Sequence, residues 1–369
     1  MTTIFSITYQ ASCINALVRP SVCSHSCKQE ALHIDLGCIE SNGSPSLFVC
    51  SFQPSYEAQV LLPLVDVEVQ TCNEYMVRLE TARLARVLSS FGAQTVRMAV
   101  NDSGIVSIST QECVSTLVGE LVPVMPTFEV VSGAVMDWEL CRQGLYAAHD
   151  MASMKGNDLV KQGVMCDLSP DGGLICGANP VALSKLEWTA ERWQTAPTEK
   201  MRGIITPEVV YYLRALERHL GESVTLDMPS DNLAIQSGAV TVLADLQHME
   251  LIDARGVALG SSDIRVSVDR ALLLKNLRRL RSQSEVEVDI MICGQQLCLY
   301  GVRAAHANSV VRLECATLPA QAELPTKRFS LDALITALLY SPAPSCTLSW
   351  SEQDTLMAVE AEGHTVFIR

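Results

Sequence analysis

The sequence is short of several things at once, and each shortage removes a class of protein. Aromatic residues make up 5% of the 369 residues, and 27 basic residues face 41 acidic ones, a formal net charge of −14. Few aromatics stand near the arginines, so stacking on the bases of a single strand is not indicated. No apolar run reaches the ~20 residues that cross a bilayer. The opening "MTTIFSITYQ" has no basic leader region, so the expectation is a cytoplasmic protein with no membrane contact. Catalytic signatures are missing too: there is no G-x-S-x-G elbow, P-loop or H-E-x-x-H. The Gly-rich "SPDGGLICGAN" reads as a hairpin turn, because no helix start or lysine follows in the register a phosphate cradle needs. His149 and His219 fall on predicted helices, in partner-facing or solvated positions. The chain is therefore expected to be neither an enzyme nor a holder of cofactors.

Cysteine is not scarce, at 14 residues, but it is scattered singly through strand-like segments such as "LFVCSF" and "IMICGQQLCLY". That pattern fits reduced thiols rather than a disulfide framework, which usually serves small secreted domains. The one cluster, Cys23, His25, Cys27, His33 and Cys38, lacks the tight paired spacing of a zinc site, and no second pair follows. No metal is expected.

What is present is a globular composition, 48% hydrophobic and 18% charged, in a length that suits two or three domains. It also repeats. "VRLETARLARVLSSF", "GIITPEVVYYLRALERHL" and "KRFSLDALITALL" share one order: a short strand, a polar helix start, then a helix followed by two strands. Glu80-Thr81, Thr206-Pro207 and Ser330 are the helix starts. Leu84, Val209 and Leu334 lie 125 residues apart, as do Leu88, Leu213 and Leu338, which marks one buried helical stripe repeated three times. Helices are also predicted before each of these, at "TYQASCINALVRP", "MDWELCRQGLYAAHDM" and "VDRALLLKNLRRLRS". The expected fold is α+β: three tandem domains, 1–126, 127–252 and 253–369, each with two helices on antiparallel sheets.

The scarce positive charge is concentrated on these helices. "RALLLKNLRRLRS" puts Arg270, Lys275, Arg278, Arg279 and Arg281 on one half of a helix and Leu272, Leu273, Leu277 and Leu280 on most of the other. Arg83 and Arg86 stand off the Leu84–Leu88 stripe, and Arg214 and Arg218 lie opposite Val209, Leu213, Leu216 and Leu220. Arg142 belongs to the helix from Met136, while "SLDALITALL" has no basic face. A single helix of this kind reads as a solvated face. Several in one architecture could line a common surface that meets duplex phosphates without regard to sequence.

In this organisation the chain resembles the β subunit of bacterial DNA polymerase III, the replicative sliding clamp, over nearly its full length. The likeness is clearest in "VRLETARLARVLSSF" and "IITPEVVYYLRALERHLGESVTLDMPSDNLAIQSGAVTVLADLQHMELIDARGV". It implies a head-to-tail homodimeric ring around duplex DNA, with helices lining the hole. It further implies a clamp loader that opens the ring and a DNA polymerase that docks through a short linear peptide. The implied peptide pocket comprises Lys161, Leu183, Ile252, Val257, Val366, Phe367 and Ile368. Here the family's Asp-Gly-His-Arg-Leu loop reads "ANPVAL", its Phe-Pro-Asp reads Leu251-Ile252-Asp253, and its Met-Pro-rich end reads "HTVFIR". Half a ring leaves a strand edge unpaired at each end. The expected edges are Thr116-Leu117-Val118 and a third-domain stretch near Ser282–Val288, with Ser282 and Ser284 at the joint; pairing them twice closes a two-fold ring. Leu117 is the apolar contribution, whereas "RSQSE" is polar, so backbone pairing and charge would carry the joint. A second class stays open, a clamp-like scaffold that binds replication proteins without being loaded on DNA. The altered pocket residues favour it and the retained arginines oppose it.

Overall fold

The computed structural model describes residues 2–22, 32–41, 43–53, 55–64, 67–69, 74–128, 130, 133–153, 163–228, 231–247, 253–259, 264–283, 285–293, 295–303, 306–318, 323–341, 343–351 and 355–369. Along them one five-element unit, strand–helix–three strands, occurs six times. The first copy is β1 (Thr3–Gln10), α1 (Ala11–Val22), β2 (His33–Ser41), β3 (Ser44–Gln53) and β4 (Tyr56–Pro63), followed by a short β5 (Val67–Val69). The second is β6 (Tyr75–Glu80), α2 (Thr81–Phe91), β7 (Thr95–Asn101), β8 (Ile105–Ser109) and β9 (Val114–Val118), followed by β10 (Glu120–Pro123). The third is β11 (Ala134–Asp137), α3 (Trp138–Ser153), β12 (Val164–Ser169), β13 (Gly172–Ala178) and β14 (Ala182–Thr189), followed by β15 (Trp193–Thr195). The fourth is β16 (Met201–Ile205), α4 (Pro207–Ala215), β17 (Ser223–Asp227), β18 (Asn232–Ser237) and β19 (Val240–Asp245). The fifth is β20 (Ile264–Asp269), α5 (Arg270–Ser282), β21 (Glu287–Cys293), β22 (Gln296–Arg303) and β23 (His306–Glu314), followed by β24 (Ala316–Leu318). The sixth is β25 (Glu323–Ser330), α6 (Leu331–Leu339), β26 (Ser345–Trp350), β27 (Met357–Ala361) and β28 (His364–Ile368).

Local chemistry sets the helix starts. Asp269 caps α5 by accepting from the Leu272 amide at 2.6 Å, and Ser330 caps α6 by accepting from Ala333. Pro207 occupies the first turn of α4, where no amide hydrogen is needed. The repeated helical stripe is buried throughout: Leu84, Leu88, Val209, Leu213, Leu334 and Leu338 are each at most 1% exposed. Helix α4 is shorter than its hydrophobic pattern suggests. After Ala215 the chain tightens into a 3-10 turn, Glu217–His219, so Arg218 leaves the helix that carries Arg214.

The chain divides into two compact units, Met1–Trp138 with Glu208–Leu246, and Glu139–Pro207 with Gln247–Arg369. In the first, β5-β1-β7-β8-β9 form one sheet and β10-β6-β2-β3-β4-β19-β18-β17-β11 run in another. In the second, the orders are β16-β12-β13-β14-β28-β27-β26-β20-β24 and β23-β22-β21-β25. Copies are thus joined through their last strands. Copy one meets copy four at β4–β19, and copy three meets copy six at β14–β28. Among the described residues, β9 of copy two and β23 of copy five pair only with the strand before them.

One polar device recurs with the fold. Asp35 on β2, Asp167 on β12 and Asp289 on β21 each face an arginine directly across the ladder: Arg78 on β6, Arg202 on β16 and Arg328 on β25. The closest approaches are 2.8, 3.4 and 2.7 Å. Side-chain exposure of the aspartates is 0%, 4% and 19%, and carboxylates as deep as Asp35 and Asp167 require a partner.

The β14–β28 seam holds another buried polar pair, Ser184 Oγ and His364 Nε2 at 2.9 Å. Burial pushes the His364 imidazole down to about 4. The folded chain therefore keeps it neutral while the unfolded chain begins to bind a proton near pH 6.5. Stability is full above that value and declines as pH falls toward 4. We expect this residue alone to cost about 2 kcal/mol between pH 7 and 4.5. In denaturant titrations at both pH values, His364→Asn should start less stable at pH 7 and lose about that much less on acidification. An equal loss in both proteins contradicts the assignment.

Candidate nucleic-acid and partner-docking surfaces

Helices α2 and α5 contain no acidic residue at all, although the chain as a whole is strongly acidic. On α2, Arg83 and Arg86 are exposed on the side away from buried Leu84 and Leu88. On α5, Leu273, Leu274, Leu277 and Leu280 enter the core, and Lys275, Arg278 and Arg279 project to solvent. Leu272 is 43% exposed, which corrects its expected place in the apolar half; Leu274 takes that place, because the buried sector is centred nearer Leu277. Among the described residues, no carboxylate lies in ion-pair range of Arg83, Arg86, Lys275, Arg278 or Arg279.

The other five predicted phosphate contacts are committed within the protein. Arg281 pairs with Asp332 on α6 at 2.7 Å, and Arg142 with Glu139 at 2.6 Å while its guanidinium lies 5.9 Å from the Tyr146 ring. Arg270 donates to the Leu338 carbonyl at 2.9 Å. Arg218 donates to His219 Nε2 at 3.1 Å and reaches the Cys13 carbonyl at 3.5 Å, and Arg214 is half-buried. Half of the predicted phosphate contacts thus have structural partners that a helical wheel cannot reveal.

The second surface is the helix-free face of the β12-β13-β14-β28 sheet, which no helix among the described residues covers. Helix α3 covers the opposite face, where Gly144 comes so near Ile175 and Leu186 that a Cβ would clash. A two-residue turn, Glu362-Gly363 with φ of 43° and 83°, joins β27 to β28 and fixes the register. In the β14–β28 ladder Phe367 lies directly opposite Leu183 on the helix-free face. Leu183 packs there against Met165, Leu174, Cys176, Ile204 and Ala254. Lys185 Nζ lies 5.4 Å from the Phe367 ring and donates to the Val257 carbonyl at 2.9 Å, which holds segment 253–259 over the sheet. Leu183 and Phe367, the latter 5% exposed, are therefore brought together, with the Val257 carbonyl held beside them by Lys185. Val366 and Ile368 are not: strand alternation turns them into the α5–α6 core at 1% and 0% exposure. Lys161 and Ile252 lie outside the described residues.

At the sheet edges, β9 is where Thr116-Leu117-Val118 placed it, with a different side chain outward. Leu117 is 2% exposed and belongs to its own core, whereas Val114 and Val118 are 65% and 70% exposed. The edge expected near Ser282–Val288 is corrected, because β21 is an interior strand between β22 and β25. The edges of that sheet are β23, with Val310 at 54% exposure, and β25. Ser282 ends α5 in solvent, and Ser284 lies outside the described residues, as do Cys23, His25 and Cys27. The alternation in "VSTLV" was the available signal for Val114 and Val118.

These surfaces sit on a known architecture. The chain is similar to the β subunit from DNA polymerase of Streptococcus pyogenes, at 12% identity and a TM-score of 0.77 over 99% of this chain and 98% of that one. It is similar to the DNA polymerase sliding clamp of Bacillus subtilis, at 11% identity and 0.74 over 100% and 98%. A third likeness is to the Helicobacter pylori beta clamp bound to a DNA ligase peptide, at 11% identity and 0.73 over 98% and 99%. No protein-family model and no curated protein sequence matches the chain. At this identity the likeness establishes the fold: the chain has the α+β fold of the bacterial DNA sliding clamps along its whole length. No described helix is long and apolar enough to cross a membrane.

Alanine substitution should separate committed from free arginines. Arg281→Ala is expected to lower stability by a few tenths up to about 1 kcal/mol, as befits a half-exposed pair. Arg278→Ala and Arg279→Ala should leave it unchanged in the same urea titration. Equal losses at all three positions contradict the distinction.

Proposed function

We propose that the protein is a DNA sliding clamp, a non-catalytic ring of two chains that encircles duplex DNA and tethers a DNA polymerase. The observation that carries this is the charge of α2 and α5: in a chain of net charge −14, two helices free of acidic residues present five cations with no carboxylate partner among the described residues. Such a surface holds a phosphate backbone weakly and without regard to sequence, which lets a ring slide. The acidic remainder discourages adhesion elsewhere.

Closure follows the pairing already inside the chain. Copy one pairs with copy four and copy three with copy six, three steps apart each time. The next such step takes copy five beyond the chain to copy two of another molecule, which is β23 against β9. Two of these joints make a closed dimer with two-fold symmetry, reinforced by Val310 with Val114 and Val118. Three domains per chain, divided near residues 126 and 252, suit that arrangement. In this reading the polymerase and a clamp loader dock short linear peptides on the Leu183–Phe367 face. The alternative, a scaffold that docks partners without enclosing DNA, draws on one observation: half of the predicted arginine contacts are spent on internal partners.

Sedimentation across a concentration series should give a dimer at micromolar protein, and Val118→Asp or Val310→Asp should shift it to monomer. A strictly monomeric wild-type protein contradicts closure. Duplex binding, followed by anisotropy against salt, should be weak, with log K falling by roughly 0.9 per phosphate neutralised. The triple change Lys275→Glu, Arg278→Glu, Arg279→Glu should abolish it and leave the melting curve intact. Undiminished binding by the triple variant favours the scaffold.

A further inference from the structure

The three cross-strand Asp–Arg pairs act as an internal control, because one of them departs from the other two. Around Asp35–Arg78 the additional charge is acidic: Glu57 feels the Asp35 carboxylate and Glu120 feels Arg78. At Asp289–Arg328 it is again acidic, with Glu287 at 3.9 Å from Arg328. At Asp167 the sign reverses. Lys200 Nζ stands 3.4 Å from its carboxylate and Arg255 Nε 3.7 Å, in addition to Arg202 at 3.4 Å. Glu187 offsets part of this, 3.5 Å from Arg255 and 3.9 Å from Lys185. Asp253 does not help, since its carboxylate accepts from Gly256 within its own loop at 3.2 Å. Among the described residues, four cations therefore share two carboxylates. The heads of Lys200, Arg202 and Arg255 remain open to solvent, at 58%, 40% and 43% exposure.

This excess lies on the same helix-free face as Leu183 and Phe367. The contacts are continuous: Phe367 to Lys185, Lys185 to Glu187, Glu187 to Arg255, and Arg255 to Asp167. Asp167 lies two strands away from β14, at the level of Glu187, because both are cross-strand partners of Leu174. From Leu183 this is roughly 16 Å, about five residues of extended peptide.

We propose that the occupant of this face is a peptide with two features: an apolar anchor for Leu183 and Phe367, and acidic side chains about five residues away that enter the Lys200–Arg202–Arg255 cluster. The inference rests on the docking reading of this face and adds its selectivity. Charge complementarity of this kind discriminates between partners that share an anchor.

The test uses labelled synthetic peptides with a pair of leucines as the apolar anchor and, about five residues before or after it, three aspartates, three serines or three lysines. They are titrated into the full chain, Lys200→Ser/Arg255→Ser and Leu183→Glu. The expected result is that the aspartate peptide binds wild type at least about tenfold tighter than the serine peptide, with the lysine peptide weakest. The double variant should lose that advantage but keep the serine-peptide affinity, and Leu183→Glu should weaken all three. Melting curves confirm that both variants fold. Equal affinity for the aspartate and serine peptides on wild type, with loss in Leu183→Glu, overturns the acidic selectivity and leaves the docking face standing. No binding by any peptide overturns both. Aspartate-peptide binding that ignores Leu183→Glu marks simple anion attraction and also overturns the proposal.

Discussion

A strand edge carries amide and carbonyl groups that must find partners or be protected, and this constraint organises the whole chain. Each five-element copy ends in a strand that could seed another sheet. Four of the six are satisfied inside the chain, at β4–β19 and β14–β28. The remaining two, β9 and β23, carry exposed valines rather than the lysines or prolines that usually blunt an edge. Such edges invite pairing, and in the proposed ring the three-step spacing of the internal joints would supply the partner. The same β14–β28 joint creates the proposed docking face, since its register sets Phe367 against Leu183.

Charge is distributed with equal economy. The acidic majority covers most of the chain, and positive charge survives uncompensated in few places. On α2 and α5 it stands on exposed helical faces, which suits a phosphate backbone. Around Asp167 it stands on a sheet face beside an apolar patch, which suits a peptide with both characters. The cross-strand Asp–Arg pairs hold neighbouring strands together across copies in all three repeats, and in the proposed reading the surplus at Asp167 serves recognition.

The repeat and the helices were legible because they rest on local periodicity. The stripe through Leu84, Val209 and Leu334 follows from 3.6 residues per turn, and all three are buried. What escaped depends on sheet order and distant partners. Nothing near Ser282–Val288 shows that β21 is interior; only the order β23-β22-β21-β25 does. Arg281 looks like its neighbours until Asp332 arrives on the next helix. Val366 and Ile368 were grouped with Phe367, although strand alternation separates them once the hairpin register is known. The Asp–Arg pairs were present in "HIDLG", "MCDLS" and "EVDIM", but their arginines lie on strands far along the chain.

Closure is the claim on which the clamp account stands, and direct imaging tests it most plainly. Electron-microscopy class averages of the full-length protein at micromolar concentration should show a two-fold ring with an opening wide enough for a DNA duplex. Compact single chains, or open filaments built by β23–β9 pairing that never closes, would contradict it.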